Sequence, residues 1–417
     1  MSPYIFLYLF LYFILFIQTK NYRNKPQYTI ILLMYSIAAI FACYMCYNAK
    51  PYNSHDYFLG AIVYHCIALY LWIKPTEQLC IFNNTPLRYA SPNVIKLLTY
   101  LVIICSIPAL IYKFANLNLS MIMSDVIDYR SAIYDQSNNE ASLIGYLSAF
   151  ANSYWSIAIA LAFYYIVHYP QKKIQITLLF ISSLYIIVYG MSNAGREYFV
   201  KYIFVLVLMY ITLKNKFSYA VNTKLKRIGF ILIGFFVTVF FIITIERFGY
   251  SRSDNYDSVS NSLIYYLGQG YCNFSQCYEA FGHGQWNGAM IFPFFTGTTI
   301  QHHNLQELVN VDFRMNSFST SIGSLVSDVG SILALILILL FAAFIRYVSR
   351  RKLDIFTLIY MSWIYDYMFS GLFFFHDHFS RFRVISILFI IILDVVNRQY
   401  TLNRLNPNKL KTNSLIN

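Results

Sequence analysis

Runs of about twenty apolar residues, separated by short basic connections, recur from one end of this chain to the other. A helix needs ~20 mostly apolar residues to cross ~30 Å of hydrocarbon. Segments of that kind fall at about 3–18, 28–47, 57–74, 96–113, 144–168, 174–192, 197–213, 228–247, 325–345, 355–375 and 381–397. Such a chain folds as an all-α integral membrane protein, here of about eleven transmembrane helices, because a helix satisfies its own backbone hydrogen bonds in lipid. Composition agrees: 58% of the residues are hydrophobic and only 12% are charged, whereas soluble domains carry about a quarter. The opening "MSPYIFLYLFLYFILFIQ" has neither a basic start nor a small-residue cleavage site, so it reads as the first span and not as a signal peptide.

The net charge of +13 invites a nucleic-acid reading. The basic residues form no block, however; they are dealt out among the connections, as positive-inside bias requires. With the N-terminus outside and the C-terminus inside, every inner connection is basic. The inner segments hold 21 of the 31 Lys and Arg residues, opposed only by Glu77 and Asp354. No nucleic acid is expected as a partner. The whole chain, 1–417, reads as one polytopic domain with two long external loops, about 114–143 and 248–324. In the second, "NSLIYYLGQGYCNFSQCYEAF" suits a helix lying along the membrane surface.

Ionisable groups gather at the outer connections. The stretch "FFFHDHFSRFRVISILF" sets His376, Asp377, His378, Arg381 and Arg383 between apolar walls. "SNAGREYFVKY" holds Arg196, Glu197 and Lys201; "ERFGYSRSD" holds Glu246, Arg247 and Arg252; "VDFRMNSFSTSIGSLVSDVGS" carries Asp312, Arg314 and Asp328. A single arginine at a span end commonly snorkels to lipid phosphate. A set of them on the outer side runs against the positive-inside rule, and guanidinium binds phosphate oxygens in a two-pronged way. Arg196, Arg252, Arg314, Arg381 and Arg383 together suit a diphosphate or another phosphorylated ligand. Within spans, only Asp366 and Asp394 are candidates for buried charge.

Histidine titrates near neutrality, so His376 or His378 beside Asp377 suits deprotonation of a sugar hydroxyl. Asp328 competes for that role, near a helix N-terminus that favours its ionised form. Adjacent residues rarely point at one ion, and no H-E-x-x-H or C-x-x-C partner cluster accompanies them, so no metal is expected. Cys43 and Cys46 read as packing residues within a span. Cys272 and Cys277 lie outside, where oxidation permits a disulfide, but their five-residue spacing in a helix points them apart. Rings in the long loop, among them Trp286, Phe292, Phe294 and Phe295, suit either sugar stacking or docking on the membrane.

The layout of spans, the late external loop and the outer arginines resemble the O-antigen polymerases (the Wzy family) of bacterial surface-polysaccharide assembly. "GREYF" at Gly195–Phe199, "NSFSTSIGSLVSDVGSILAL" at Asn316–Leu335 and "DYRSAIYD" at Asp128–Asp135 carry the likeness. The D-x-G pattern at Asp328–Gly330 is similar to the family's, with Val329 where an aromatic residue is usual. The resemblance implies a metal-independent glycosyltransferase with no cofactor. The donor would be a glycan on undecaprenyl diphosphate, and the acceptor a repeat unit on a second one, joined at the periplasmic face of the inner membrane. Arg196 and Arg381 are then the first candidates for diphosphate, with Arg252, Arg314 and Arg383 in support. Arg130 is a candidate for binding the glycan or closing over the cavity. The base assignment rests on position and chemistry and not on the resemblance: His376, Asp377 and His378 are the first choices, unranked, with Asp328 as their competitor. A chain-length regulator is an implied partner.

Two other functions fit parts of the pattern. An O-antigen ligase shares the layout but passes the glycan to lipid A–core. A flippase for lipid-linked oligosaccharides would also hold arginines for diphosphate, yet it predicts midplane charges and repeated halves, and no repeat is visible.

Overall fold

The computed structural model describes residues 3–19, 22–48, 52, 56–117, 143–192, 195, 197–249, 259–297, 319–373 and 380–405, without side chains at 236, 239–249, 259–263 and 401–405. Among the described residues there is no strand. In chain order the principal helices are α1 (Leu7–Gln18), α2 (Pro26–Asn48), α3 (Leu59–Ile73), α4 (Pro92–Ala115), α5 (Leu143–His168), α6 (Lys173–Ser183) and α7 (Tyr185–Ser192). They continue with α8 (Glu197–Leu213), α9 (Tyr219–Gly249), α10 (Val259–Phe281), α11 (Thr320–Val329), α12 (Ser331–Ser349), α13 (Ile355–Ser370) and α14 (Arg381–Leu405).

Six helical segments among the described residues are long and apolar enough to cross a membrane: Pro26–Asn48, Leu59–Asn83, Pro92–Ala115, Leu143–His168, Lys173–Ser192 and Ser331–Ser349. Each overlaps one of the eleven expected runs. A shorter apolar helical stretch, Pro3–Gln18, covers the first run.

The exposed faces suit lipid. On α12 the buried positions are Ala334, Ile338, Ala342, Ile345 and Val348, while Ile332, Leu333, Ile336, Leu339 and Leu340 are exposed. Both stripes recur at helical spacing, and both are apolar. In water a helix of this kind would turn a polar face outward. Here the outer face carries the larger aliphatic side chains, as a bilayer requires.

The chain divides into two compact units. The first comprises Met1–Asn83, Ile231–Arg350 and Ile364–Ser380; the second comprises Asn84–Phe230, Arg351–Trp363 and Arg381–Asn417.

In the first unit, α1, α2, α3, α10, α11 and α12 pack about fully buried rings, including Tyr8, Tyr35, Tyr271 and Phe274. Pro26 starts α2 at the position where a missing N–H costs nothing. The stretch after α3 continues as a 3-10 helix, Lys74–Asn83, longer than most of its kind. The ion pair from Lys25 to Glu77, at 2.5 Å, and the amide pair Gln27–Asn83 hold it at the start of α2, while Lys74 pairs with Glu77 at 2.7 Å within the 3-10 helix itself.

The helix expected along the membrane surface forms as α10, but it is a core helix. Tyr271, Cys272, Asn273, Phe274, Ser275 and Cys277 are all buried. Consecutive buried positions run right round a helix, so α10 is enclosed by α2, α3 and α11. Its polar groups find partners there: Ser275 Oγ accepts the backbone N–H of Phe58 at 2.9 Å.

In the second unit, α5 is the central helix. Small residues, among them Ala151, Ser153, Ser156, Ala158, Ala160 and Ala162, are buried all round it. Lipid tails are as apolar as leucine, so membrane helices associate by close packing, which small side chains permit. At one end, Ala90 N–H donates to the Tyr164 hydroxyl at 2.9 Å and Ser91 N–H to Asn397 Oδ1 at 2.8 Å. Nearby, Arg351 grips Asp394 through both terminal nitrogens, at 2.5 and 2.7 Å. Arg398 and the Tyr360 hydroxyl bind the same carboxylate. Asp394, expected as a buried charge, is therefore neutralised and fully engaged.

Candidate functional site

The D-x-G pattern is a clasp. Gly330, with φ +85°, ends α11 and lets α12 start in a new direction, a backbone state that residues with a Cβ rarely adopt. Gly284, also at positive φ, lies against it; a Cβ on Gly284 would meet Gly330 N at 2.7 Å. Asp328 is wholly buried, and its carboxylate accepts the backbone N–H groups of Met290 at 3.2 Å and Ile291 at 2.8 Å. The loop after α10 also donates Gln285 N–H to Ser327 O at 2.7 Å and takes Ser331 N–H onto Gly282 O at 2.9 Å. Asp328 sits at the C-terminal end of α11, not at the helix N-terminus expected from the sequence. Backbone N–H groups of another segment, instead of a helix dipole, meet its charge. Chemically, this arrangement anchors a loop.

The start of α11 joins the end of α13. Ser321 N–H donates to Gly371 O at 3.1 Å, and Ser321 Oγ to Ser370 O at 3.3 Å. From Phe373 the chain leads directly into "FFHDHF". The first residue of α11, Thr320, is fully buried at φ +68°. For a β-branched residue that conformation is strained. Thr320 Oγ1 lies 3.1 Å from His65 Nε2, and the other ring nitrogen of His65 lies 2.8 Å from the Tyr8 hydroxyl. The imidazole stacks on Phe274 with ring centroids 3.8 Å apart. A buried polar chain thus fixes the strained turn that opens the small-residue helix. Sequence reasoning missed His65; its signal was an ionisable residue alone inside the apolar run "GAIVYHCIALYLW".

In the second unit two cations meet neighbouring residues of α5. Arg383 is only 5% exposed, although an outer connection was expected to leave it at the surface. Its Nη1 reaches the Ser153 carbonyl at 3.5 Å. Lys201 is 4% exposed, and its Nζ stands 5.9 Å from the centre of the Trp155 ring. Carbonyl dipoles and the faces of aromatic rings both favour positive charge. Arg381 shares the first turn of α14 with Arg383, but it is exposed. Two residues apart on a helix, they point to different sides.

His376, Asp377, His378, Arg130, Arg196, Arg252 and Arg314 lie outside the described residues. Cys272 and Cys277 do not face each other: Cys272 Sγ is 3.3 Å from Cys46 Sγ, and Cys277 Sγ is 2.8 Å from Ser327 Oγ. Among the described residues no three His, Cys, Asp or Glu side chains converge as a metal site would require. Compared with protein-family models, curated proteins and solved structures, the chain matches none.

Proposed function

We propose that this chain is a polysaccharide polymerase of bacterial surface-glycan assembly, with eleven spans, N-terminus outside and C-terminus inside, in the inner membrane. It joins lipid-linked repeat units at the periplasmic face. The acceptor hydroxyl attacks the anomeric carbon of the donor glycan, and a base among His376, Asp377 and His378 takes the proton. The bond from sugar to diphosphate breaks, and undecaprenyl diphosphate leaves with the electron pair. Arginines fixed near the leaving group stabilise this charge more in the transition state than before it. Arg196 and Arg381 are assigned that role, with Arg252, Arg314 and Arg383 in support and Arg130 assigned to the glycan. The donor carries its own activated leaving group, so no nucleotide is needed.

The observation that carries this reading is Arg383, a guanidinium buried among helices five residues after the His-Asp-His stretch. A charge in such a place costs a few kcal/mol and is a functional marker. Asp328 supports the reading as an anchor of the long loop.

The test is reconstitution of the purified protein in lipid vesicles with undecaprenyl-diphosphate-linked repeat units and a chelator. The reading predicts glycans of two or more repeats and release of undecaprenyl diphosphate. Transfer only onto lipid A–core would replace it with a ligase. Transbilayer movement of the lipid without a new glycosidic bond would replace it with a flippase.

A further inference from the structure

Helices α2 and α10 approach each other through their backbones. Gly268 permits it: a Cβ there would meet Ala42 N at 2.7 Å and the carbonyl carbon of Phe41 at 2.8 Å. Four residues after Ala42 on one helix and four after Gly268 on the other stand Cys46 and Cys272. Their Sγ atoms are 3.3 Å apart, and both residues are buried. A disulfide has an S–S distance of ~2.05 Å, so closure asks each sulfur to move by well under ~1 Å. The backbone contact one turn away holds the two helices close enough for the sulfurs to touch.

The neighbouring thiols are placed differently. Cys43 Sγ is directed at Ile5 O, 3.8 Å away, and Cys277 Sγ at Ser327 Oγ. Cys46 also donates to the Tyr57 hydroxyl at 2.8 Å, and Cys272 to Ala42 O at 3.5 Å. Two thiols packed as small apolar groups would also be buried, but that role does not require them to touch each other.

We propose that Cys46 and Cys272 form a disulfide that staples α2 to α10. Each thiol gives up one proton and one electron. The acceptor is the disulfide of an incoming thiol oxidoreductase, which leaves as a dithiol. One cysteine thiolate attacks that disulfide, and the second resolves the mixed intermediate. Closure in the cell rests on the proposed topology, which puts the C-terminal end of α2 on the oxidising outer side. The bond closes a loop of more than two hundred residues, the regime in which a crosslink restricts the unfolded chain most. It also fixes the helix whose end leads into the loop clasped by Asp328.

The experiment traps thiols by alkylation before cell lysis, digests the full chain without reductant and searches for linked peptides by mass spectrometry. The proposal predicts a peptide joining Cys46 to Cys272 that disappears on reduction and in Cys46→Ser. It also predicts that reductant lowers the unfolding midpoint of the purified protein by about 5 °C and has no such effect on Cys46→Ser. Alkylation of both cysteines in protein from cells overturns it, as does linkage of either one to Cys43. In parallel, an impermeant maleimide applied to spheroplasts reports the side of Asn53→Cys in a Cys46→Ser, Cys272→Ser background. Labelling from outside together with free native thiols overturns the disulfide alone; a site protected in spheroplasts and labelled only after permeabilisation overturns the topology with it.

Discussion

Asp328 and Ile291 meet across 37 positions of sequence, the carboxylate Oδ2 accepting the Ile291 backbone N–H at 2.8 Å inside a fully buried clasp. Both carboxylate oxygens are used, since Oδ1 takes Met290 N–H. Asp328→Asn keeps one acceptor and turns an N–H donor toward another donor. The expected loss is about 2 kcal/mol, read as a lower unfolding midpoint in detergent. Polymerisation lost with an unchanged midpoint would instead assign proton transfer to Asp328.

The turn at Thr320 is held by a hydrogen bond and opposed by its own backbone. Thr320→Ser keeps the hydroxyl and removes the branch that makes positive φ costly, so its stability should stay within about 1 kcal/mol of the parent. Thr320→Val leaves His65 without its partner and is expected to cost about 2 kcal/mol. His65→Leu orphans the Tyr8 hydroxyl as well and should cost more than Thr320→Val. Thermal unfolding of the three variants gives the order.

Much of this was legible in the sequence. Apolar runs long enough to span a membrane located the helices, because hydrocarbon thickness sets their length. The pattern failed where tertiary contacts decide. The polar surface of α10 suggested an interface, but its Ser, Asn and Cys groups are satisfied inside a helix bundle. Asp328 precedes a helix start by only three residues, and the sequence could not show that Met290 and Ile291 fold back to meet it. Arg383 and Lys201 looked like surface cations because period alone does not say which side of a helix faces α5. His65 was hidden by the greasiness of its neighbours.

Arg351 and Asp394 form a two-pronged pair whose side chains are 9% and 5% exposed. Removing the Asp394 charge leaves the largely buried Arg351 guanidinium with only the more distant Asp354 carboxylate, at 3.8 Å, to offset it. Asp394→Asn should therefore cost about 3–5 kcal/mol and lower the midpoint sharply. In Arg351→Met with Asp394→Leu both charges are gone, and part of that loss should return. A double variant no better than Asp394→Asn would contradict the pairing as the source.

Lys216, outside the spans, has its pKa drawn down to about 8 by burial while Nζ donates to Thr212 O at 3.0 Å. An unfolded lysine titrates near ~10.4. Between those values the unfolded chain holds a proton that the folded protein has released, so this group's contribution to stability rises with pH across that window. Below pH 8 both states are charged and the contribution is flat. Lys216→Met should show a smaller gain in unfolding midpoint between pH 8 and pH 9.5 than the parent protein, as calorimetry in detergent can determine.

The central claim is polymerisation of lipid-linked repeat units, and the electrophoretic profile of surface polysaccharide tests it most directly. A deletion strain is complemented in turn by the intact gene, Arg196→Ala and Arg381→Ala, with membrane insertion of each verified. The account predicts that deletion leaves core plus a single repeat and loses the ladder, that the intact gene restores it, and that neither arginine variant does. A ladder unchanged by deletion, in a strain with no second copy, would contradict it.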